Sequence, residues 1–343
     1  MTTVIKPSQL AAILAKTIPA KKPVLISGPP GCGKTDITEQ ACKAAGAKLI
    51  TFHPVVSDPT DFKGMPWVTK DGAEFMPFGD LKALINAKDL TFAFFDDLGT
   101  APTSVQAAVM QLLLARQING HKISEHVVFG AATNRRSDRA GVQGILEPVK
   151  SRFLTILEMG IDATDWRAWG AANGIRSEVL AYIAYRPDAL SEFKATADMT
   201  NSPSPRTWGR VSEILDLDMP KDVEMPMFEG AVGEARAQEF TAYLRIWQSL
   251  VSPDLVLSSP DTAPIPTEPS ALYAIVTAIA ERVRPKSMGN YCRYLERLTR
   301  DAEGGIFAAC SMKMAKARDA SLTATPGYIK AMSGPLGQLM LGA

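Results

Sequence analysis

Apolar residues in the first part of the chain fall into short unbroken runs bounded by glycine, proline or charge. Pro23–Ser27 (PVLIS), Lys48–His53 (KLITFH), Leu90–Phe95 (LTFAFF), His126–Ala131 (HVVFGA) and Arg152–Glu158 (RFLTILE) read as strands. Runs that stay apolar at successive positions suit strands buried on both faces. Between them the apolar spacing changes to three and four. Ser8 can cap a short helix with Leu10, Ile13 and Leu14 on one face, and a second helix is expected from Lys34 with Ile37, Ala41 and Ala44 inward. This alternation predicts an α/β domain with a mostly parallel sheet over residues 1–160.

Two inserts interrupt the pattern. Residues 65–78 (MPWVTKDGAEFMPF) carry Asp71-Gly72 between extended apolar segments, and residues 116–123 (RQINGHKI) carry Asn119-Gly120; both read as hairpins. After residue 160 the strand runs fade. ATDWRAWGAANG, EVLAYIAYRPDAL and RTWGRVSEIL read as helices and define an expected helical region, 161–220. Residues 221–343 are expected to form a further, mainly helical region with helices at Ala271–Glu281, Tyr291–Thr299 and Ile306–Arg318. Within it, residues 252–270 hold five prolines and read as a linker or an extended strap.

The totals narrow the class. A chain of 343 residues suggests two or three domains, and 46% hydrophobic with 21% charged residues is an ordinary globular balance. A formal net charge of +1 gives no overall field toward nucleic acid or acidic membranes. Cys32, Cys42, Cys292 and Cys310 lack zinc-ligand spacing and are too few for a disulfide scaffold, which fits a reducing cytoplasm. The N-terminal stretch has no unbroken apolar core of signal-peptide type, and no apolar run reaches the ~20 residues a membrane span needs. His53, His121 and His126 show no metal-ligand spacing and read as structural or surface residues.

Candidate chemistry begins at Gly28–Thr35, GPPGCGKT. It follows a predicted strand and opens a predicted helix, the context a phosphate-binding loop requires. Backbone N–H groups of Gly28, Pro29, Pro30, Gly31, Cys32, Gly33, Lys34, Thr35 and Asp36 (prolines excepted) can turn toward phosphate oxygens at a helix N-terminus. Lys34 is expected to reach the β- and γ-phosphates and Thr35 to hold Mg²⁺. Cys32 reads as a tolerated small residue in a loop that chiefly needs backbone. The run FAFFDD then ends a strand at Asp96 and Asp97. Asp96 has the place of a Mg²⁺ ligand, directly or through water. Asp97 falls where a glutamate normally polarises the attacking water; it is one methylene shorter, with the same chemistry as a base.

With these residues in place, the chain resembles the AAA+ ATPases, and within them the MoxR-like group. FFDDLGTAPTSVQAAVMQLLLARQINGHKI is similar to that group's Walker B strand, following helix and pre-sensor hairpin. VVFGAATNRR resembles the sensor-1 strand with Asn134 at its tip, GILEPVKSRF the segment ending in an arginine finger (Arg152), and SPSPRTW the sensor-2 turn (Arg206). SDPTDFKG resembles the start of the helix-2 insert. The resemblance implies a P-loop AAA+ three-layer domain with a parallel sheet, a helical lid over 161–220, and ATP with Mg²⁺ as ligands. It gives Asn134 the orienting of the lytic water, Arg152 a role at the neighbouring subunit's nucleotide, and Arg206 an approach to the γ-phosphate of its own. Arg135 and Arg136 compete for phosphate or intersubunit contacts. Asp97 and the pair Gly99-Thr100 depart from the group's usual Glu and Asn-Arg.

An arginine acting in trans implies a homo-oligomer, by family precedent a hexameric ring. The resemblance implies a chaperone-like role for such a ring, often with a partner carrying a von Willebrand factor A domain. Met65, Trp67, Phe75 and Met76 on the first hairpin either grip a polypeptide or pack onto their own domain. The competing reading is a nucleic-acid-directed motor or loader. Residues 282–318, with nine basic residues against Glu296, Asp301 and Glu303 and with Tyr291 and Tyr294 among the arginines, suit nucleic-acid phosphate, an acidic partner protein or simply a solvated helix face. A third reading is a scaffold that binds ATP and barely turns it over.

Overall fold

The computed structural model describes residues 3–70, 72–138, 144–193, 199–248, 251–300 and 302–342. Residue contacts divide the chain at Asp162/Ala163 into two compact units, with Phe193 grouped with the first. In the first unit the elements run β1 (Val4–Ile5), α1 (Pro7–Thr17), β2 (Val24–Gly28), α2 (Lys34–Ala44), β3 (Lys48–Phe52), α3 (Pro59–Lys63), β4 (Met65–Thr69) and β5 (Gly72–Met76). They continue through α4 (Gly79–Ile85), β6 (Thr91–Phe95), α5 (Thr103–Ala115), β7 (Gln117–Ile118), β8 (His121–Lys122), β9 (Val127–Asn134), α6 (Glu147–Lys150) and β10 (Thr155–Met159).

Six strands form one parallel sheet in the order β1-β10-β2-β9-β6-β3. This is the AAA+ P-loop fold, a sheet with helices on both faces. The strand residues divide by parity, as the two-residue period demands. Val24, Ile26, Phe92, Phe94, Val128 and Ala132 pack with Leu10 and Leu14 of α1 and Ala41 and Cys42 of α2. Leu25, Ala93, Phe95, Val127, Phe129 and Ala131 pack on the other face with Phe62, Leu81, Leu84, Val105 and Val109. That double burial is why the strands read as unbroken apolar runs.

Several edges differ from expectation. Helix α1 begins at Pro7, with Lys6 in the cap position, so Ser8 lies inside the first turn; proline's fixed φ favours that start. In α2 it is Cys42 that is buried, while Ala44 is exposed. The last strand starts at Thr155, which leaves Arg152 on the turn after α6. Edge strand β1, two residues long, carries too little pattern to be seen in the sequence. Both hairpins are present. Asn119 (φ 46°) and Gly120 (φ 86°) make the two left-handed positions of the second turn; Asp71 of the first lies outside the described residues.

The second unit is helical among its described residues: α7 (Ala163–Ala172), α8 (Ser177–Tyr185), α9 (Pro205–Asp216), α10 (Lys221–Val232), α11 (Glu234–Gln248), α12 (Pro253–Ser258), α13 (Pro269–Arg282), α14 (Met288–Leu298), α15 (Ala302–Arg318), α16 (Pro326–Met332) and α17 (Pro335–Gly342). Leu272 through Ala280 of α13 are all buried, the signature of a helix at the centre of its unit. Trp208 of α9 is buried, with its indole donating to the Ala189 carbonyl at 2.7 Å, and it packs against Tyr182 and Phe240. Residues 252–270, expected as a linker or an extended strap, are helical at Pro253–Ser258 and again from Pro269, with a non-helical connection between. Two of the five prolines open helices, Pro253 at the start of α12 and Pro269 at the start of α13, and Val256, Leu257 and Ala263 enter the core.

Candidate functional site

The phosphate loop leaves β2 at Gly28 and enters α2 at Lys34. Gly33 sits at φ 93°, a conformation L side chains rarely adopt, and a Cβ on Gly28 would lie 2.7 Å from the Met159 carbonyl oxygen. The glycines therefore answer backbone geometry. Lys34 is only 6% exposed. Its ammonium donates to the carbonyls of Gly28 (3.1 Å) and Pro29 (3.0 Å) and to Asn134 Oδ1 (2.9 Å). Asp36 is exposed in the first turn of α2, where its charge suits the helix N-terminus. Burial raises the Cys32 thiol pKa against the opposing pull of Lys34, which keeps it protonated and a poor nucleophile.

Parallel pairing brings the other groups to the same sheet end. Gly28 of β2 is in register with Asn134 of β9, and Phe95 of β6 with Ala131 of β9. Asp96 and Asp97 thus emerge beside the loop. Thr35 Oγ1 donates to Asp96 Oδ2 at 2.8 Å. Asn134 Nδ2 donates to Asp97 Oδ1 at 3.1 Å. The Asn134 amide therefore bridges Lys34, through its oxygen, and Asp97, through its nitrogen. Both contacts are charge-assisted, and they fix which way the amide points. Lys34, Thr35, Asp96, Asp97 and Asn134, far apart in sequence, form one linked cluster.

Thr35 Oγ1 and Asp96 Oδ2 are hard oxygen donors side by side. Two protein oxygens fit Mg²⁺, which keeps water ligands and shares its shell with phosphates. Among the described residues no group of three or more His, Cys, Asp or Glu could hold a metal ion, so the donor set does not resemble a structural zinc site.

The arginines separate. Arg135 forms a forked pair with Asp138 (3.0 and 2.9 Å) and reaches Glu158 at 3.4 Å, so it is committed within its own unit. Arg136 is exposed. Arg152 is half-buried; one of its terminal nitrogens donates to Ser151 Oγ at 3.1 Å, and its buried Nε has no hydrogen-bond partner. Arg206 is exposed in the first turn of α9, in the helical unit.

One residue of this region was not anticipated. Gln106 on α5 is 1% exposed and makes three hydrogen bonds, two of them to residues 144–146. Its only signal in sequence is a polar residue beside the buried stripe Val105, Ala108, Val109 and Leu112.

The tyrosines among the basic residues of 282–318 are core residues. Tyr291 donates or accepts with Ser311 Oγ at 2.7 Å, Tyr294 donates to the Pro264 carbonyl at 3.0 Å, and both are buried. Arg297 donates to the Ala263 carbonyl at 2.7 Å, and Arg293 pairs with Asp261 at 3.2 Å. The aromatic interleaving that counted toward a nucleic-acid reading is thus helix-face periodicity turned into the core. The helical unit also holds a cavity of about 260 Å³ lined by Arg176, Glu178, Trp247 and Glu281 among others.

Residues 23–153 match the family model of the AAA domain, dynein-related subfamily. That segment runs from the residue before β2 to the turn after α6, and so contains the whole linked cluster and Arg152. Among solved structures the chain is similar to a mutant of RuvB from Thermotoga maritima: 17% identity, TM-score 0.41, covering 87% of this chain and 89% of that one. It is also similar to NtrX from Brucella abortus in complex with ADP: 13% identity, TM-score 0.41, covering 97% and 68%. No curated protein matches the sequence. Among the described residues no helix is long and apolar enough to cross a membrane.

Proposed function

We propose that the protein is an ATP-hydrolysing, Mg²⁺-dependent AAA+ ATPase of MoxR-like type that works as an oligomeric ring on a partner protein. The observation that carries this reading is the linked cluster. Lys34, Thr35, Asp96, Asp97 and Asn134 meet where a phosphate loop, a strand ending in two carboxylates and a polar strand tip converge. A structural cluster would need none of that division of labour.

The roles follow from the groups. Backbone N–H groups of the loop and the Lys34 ammonium bind the β- and γ-phosphates. Thr35 and Asp96 hold Mg²⁺, which supplies neutralisation of developing phosphate charge when bound. Asp97 accepts a proton from the attacking water, and Asn134 orients that carboxylate. Lys34 leaves the Asn134 oxygen as it turns to phosphate, which frees that oxygen as an acceptor for water. Arg152 completes the neighbouring subunit's site, and Arg206 retains the sensor-2 role that the resemblance implies. The ring acts through exposed apolar surface: Trp67 is 64% and Val68 82% exposed on β4, beside exposed Met65, Phe75 and Met76.

The test uses Asp97→Asn as a trap. The variant is loaded with Mg-ATP and used to capture partners from a lysate of the native source, with Lys34→Ala as the unloaded control and a nuclease-treated arm. A stoichiometric protein that stays with the trap and leaves the control supports the reading. Capture that disappears with nuclease moves it to a nucleic-acid motor. Phosphate release by the unmodified protein distinguishes either from a scaffold.

A further inference from the structure

We propose that Gln106 is a positioning residue that sets the arginine a subunit presents to its neighbour according to the state of its own metal-and-base segment. The inference rests on the reading of Arg152 given above. Gln106 Nε2 donates to the Ala101 carbonyl at 3.1 Å and to the Gly144 carbonyl at 2.9 Å, while its Oε1 accepts from Leu146 N at 3.0 Å. The two segments so joined are the ones that matter. Ala101 closes the tight turn that starts at Asp97. Leu146 caps α6, whose final turn is fixed by Arg152 N donating to the Val149 carbonyl at 3.1 Å. A second link, Gly144 N donating to the Gly99 carbonyl at 3.2 Å, ties the same segments.

The burial makes this specific. Gln106 is itself buried, next to the apolar stripe Val105, Ala108, Val109 and Leu112. A buried amide is retained at such a place only with its bonds satisfied, and here all three are to backbone groups at fixed positions. Val149 and Phe153, on either side of Arg152, pack into the same core cluster as Ala101, Val105 and Val109. A displacement of residues 96–100 is therefore passed through Gln106 to residues 144–146 and to the turn bearing Arg152. Small misplacements of a catalytic group are costly, on the order of 100-fold for 1 Å.

The experiment mixes two defective subunits. Arg152→Ala subunits keep their own nucleotide site and lack the arginine; Lys34→Ala subunits lack the site and keep the arginine. Phosphate release that returns on mixing establishes an arginine acting in trans. If it does not return, the reading of Arg152 has failed, and the Gln106 inference falls with it for that identifiable reason. Gln106→Met, which keeps the length and volume, is then placed in one partner at a time. The expected result is a loss of roughly 10- to 100-fold in kcat when it is in the Lys34→Ala donor, with KM for ATP unchanged. Little change is expected when it is in the Arg152→Ala acceptor. Equal losses in both, or none in either, overturn the proposal. Gln106→Glu keeps the acceptor for Leu146 and removes both donors. It is run in the same design, with co-assembly followed by size exclusion, so that one misfolded variant does not decide the result.

Discussion

The side-chain amide of Asn134 holds Asp97 by one end and Lys34 by the other, with Nδ2 to Oδ1 of Asp97 at 3.1 Å and Oδ1 to Nζ of Lys34 at 2.9 Å. The residue proposed to bind phosphate and the residue proposed to take the proton thus share one positioning group. Asn134→Ala leaves both without it. We expect ATP binding within a few-fold of the unmodified protein and kcat lower by roughly 100-fold, the usual scale for losing one oriented donor. Fluorescent-nucleotide titration beside phosphate release checks this; an unchanged kcat removes Asn134 from the mechanism.

Asp97 occupies the left-handed region, at φ 53° and ψ 34°. Asp and Asn enter that region more readily than longer side chains, which gives a backbone reason for aspartate at a position where glutamate is usual. Asp97→Glu should lower stability by about 1 kcal/mol relative to Asp97→Asn, and should not raise turnover above that of the unmodified protein. Denaturant unfolding of the two variants makes the comparison. A glutamate variant as stable as the asparagine one, or with faster turnover than the unmodified protein, defeats the explanation.

Thr35 and Asp96 lie 2.8 Å apart through a hydroxyl-to-carboxylate bond. Thr35→Val keeps the shape and removes one of the two oxygens. The expected outcome is a shift of the Mg²⁺ concentration for half-maximal turnover by at least about 10-fold, and complete loss of turnover with a chelator that excess Mg²⁺ reverses. Turnover that persists in chelator would show that the two oxygens do not serve a metal.

The exposed face of β4 offers a separate test, because Trp67 lies outside the linked cluster and is 64% exposed. Trp67→Ser should leave unstimulated phosphate release unchanged and reduce capture of the partner by the Asp97→Asn trap. Hairpin β7–β8 is bonded to β5 through His121 Nε2 and the Phe75 carbonyl at 3.1 Å, and to the end of α3 through Asn119 Nδ2 donating to the Lys63 carbonyl at 2.8 Å. The substitution removes an exposed ring and none of these bonds. A large loss of stability would show instead that the ring packs onto its own unit.

The parts of this molecule most legible in sequence were those dictated by local chemistry. Unbroken apolar runs could only be strands covered on both faces, and the eight residues of the phosphate loop carry their own glycine requirement at Gly28 and Gly33. The asparagine at 134 was visible as a polar residue closing an apolar strand. Its double attachment was not, because that depends on which strands are neighbours. Gln106 was illegible for the same reason: one polar residue on a helix says nothing about which loop returns to it. Tyr291 and Tyr294 misled because arginines at helical spacing leave the residues between them for the core, so interleaving arises without any ligand. The five prolines of 252–270 suggest a linker or an extended strap, whereas Pro253 and Pro269 stand at helix starts, where a missing N–H costs nothing.

Glu281, on the cavity of the helical unit, gives a prediction about pH. Burial raises its pKa from 4.5 to about 7, with the neighbouring Glu178 adding to the rise and Ser177, Arg318 and Arg282 opposing it. The folded protein holds this proton more tightly than the unfolded chain does. The stability it contributes is therefore complete below about pH 4.5 and is lost as pH climbs through about 7. Glu281→Gln keeps the shape and cannot ionise. The difference in Tm, variant minus unmodified, should be near zero or slightly negative at about pH 5 and rise to several degrees positive at about pH 8. Taking the difference cancels every other group that titrates over the same range, so the slope belongs to Glu281. A difference that stays flat with pH would mean that the carboxyl ionises in the folded protein as it does in water, with the cavity open enough to hydrate it.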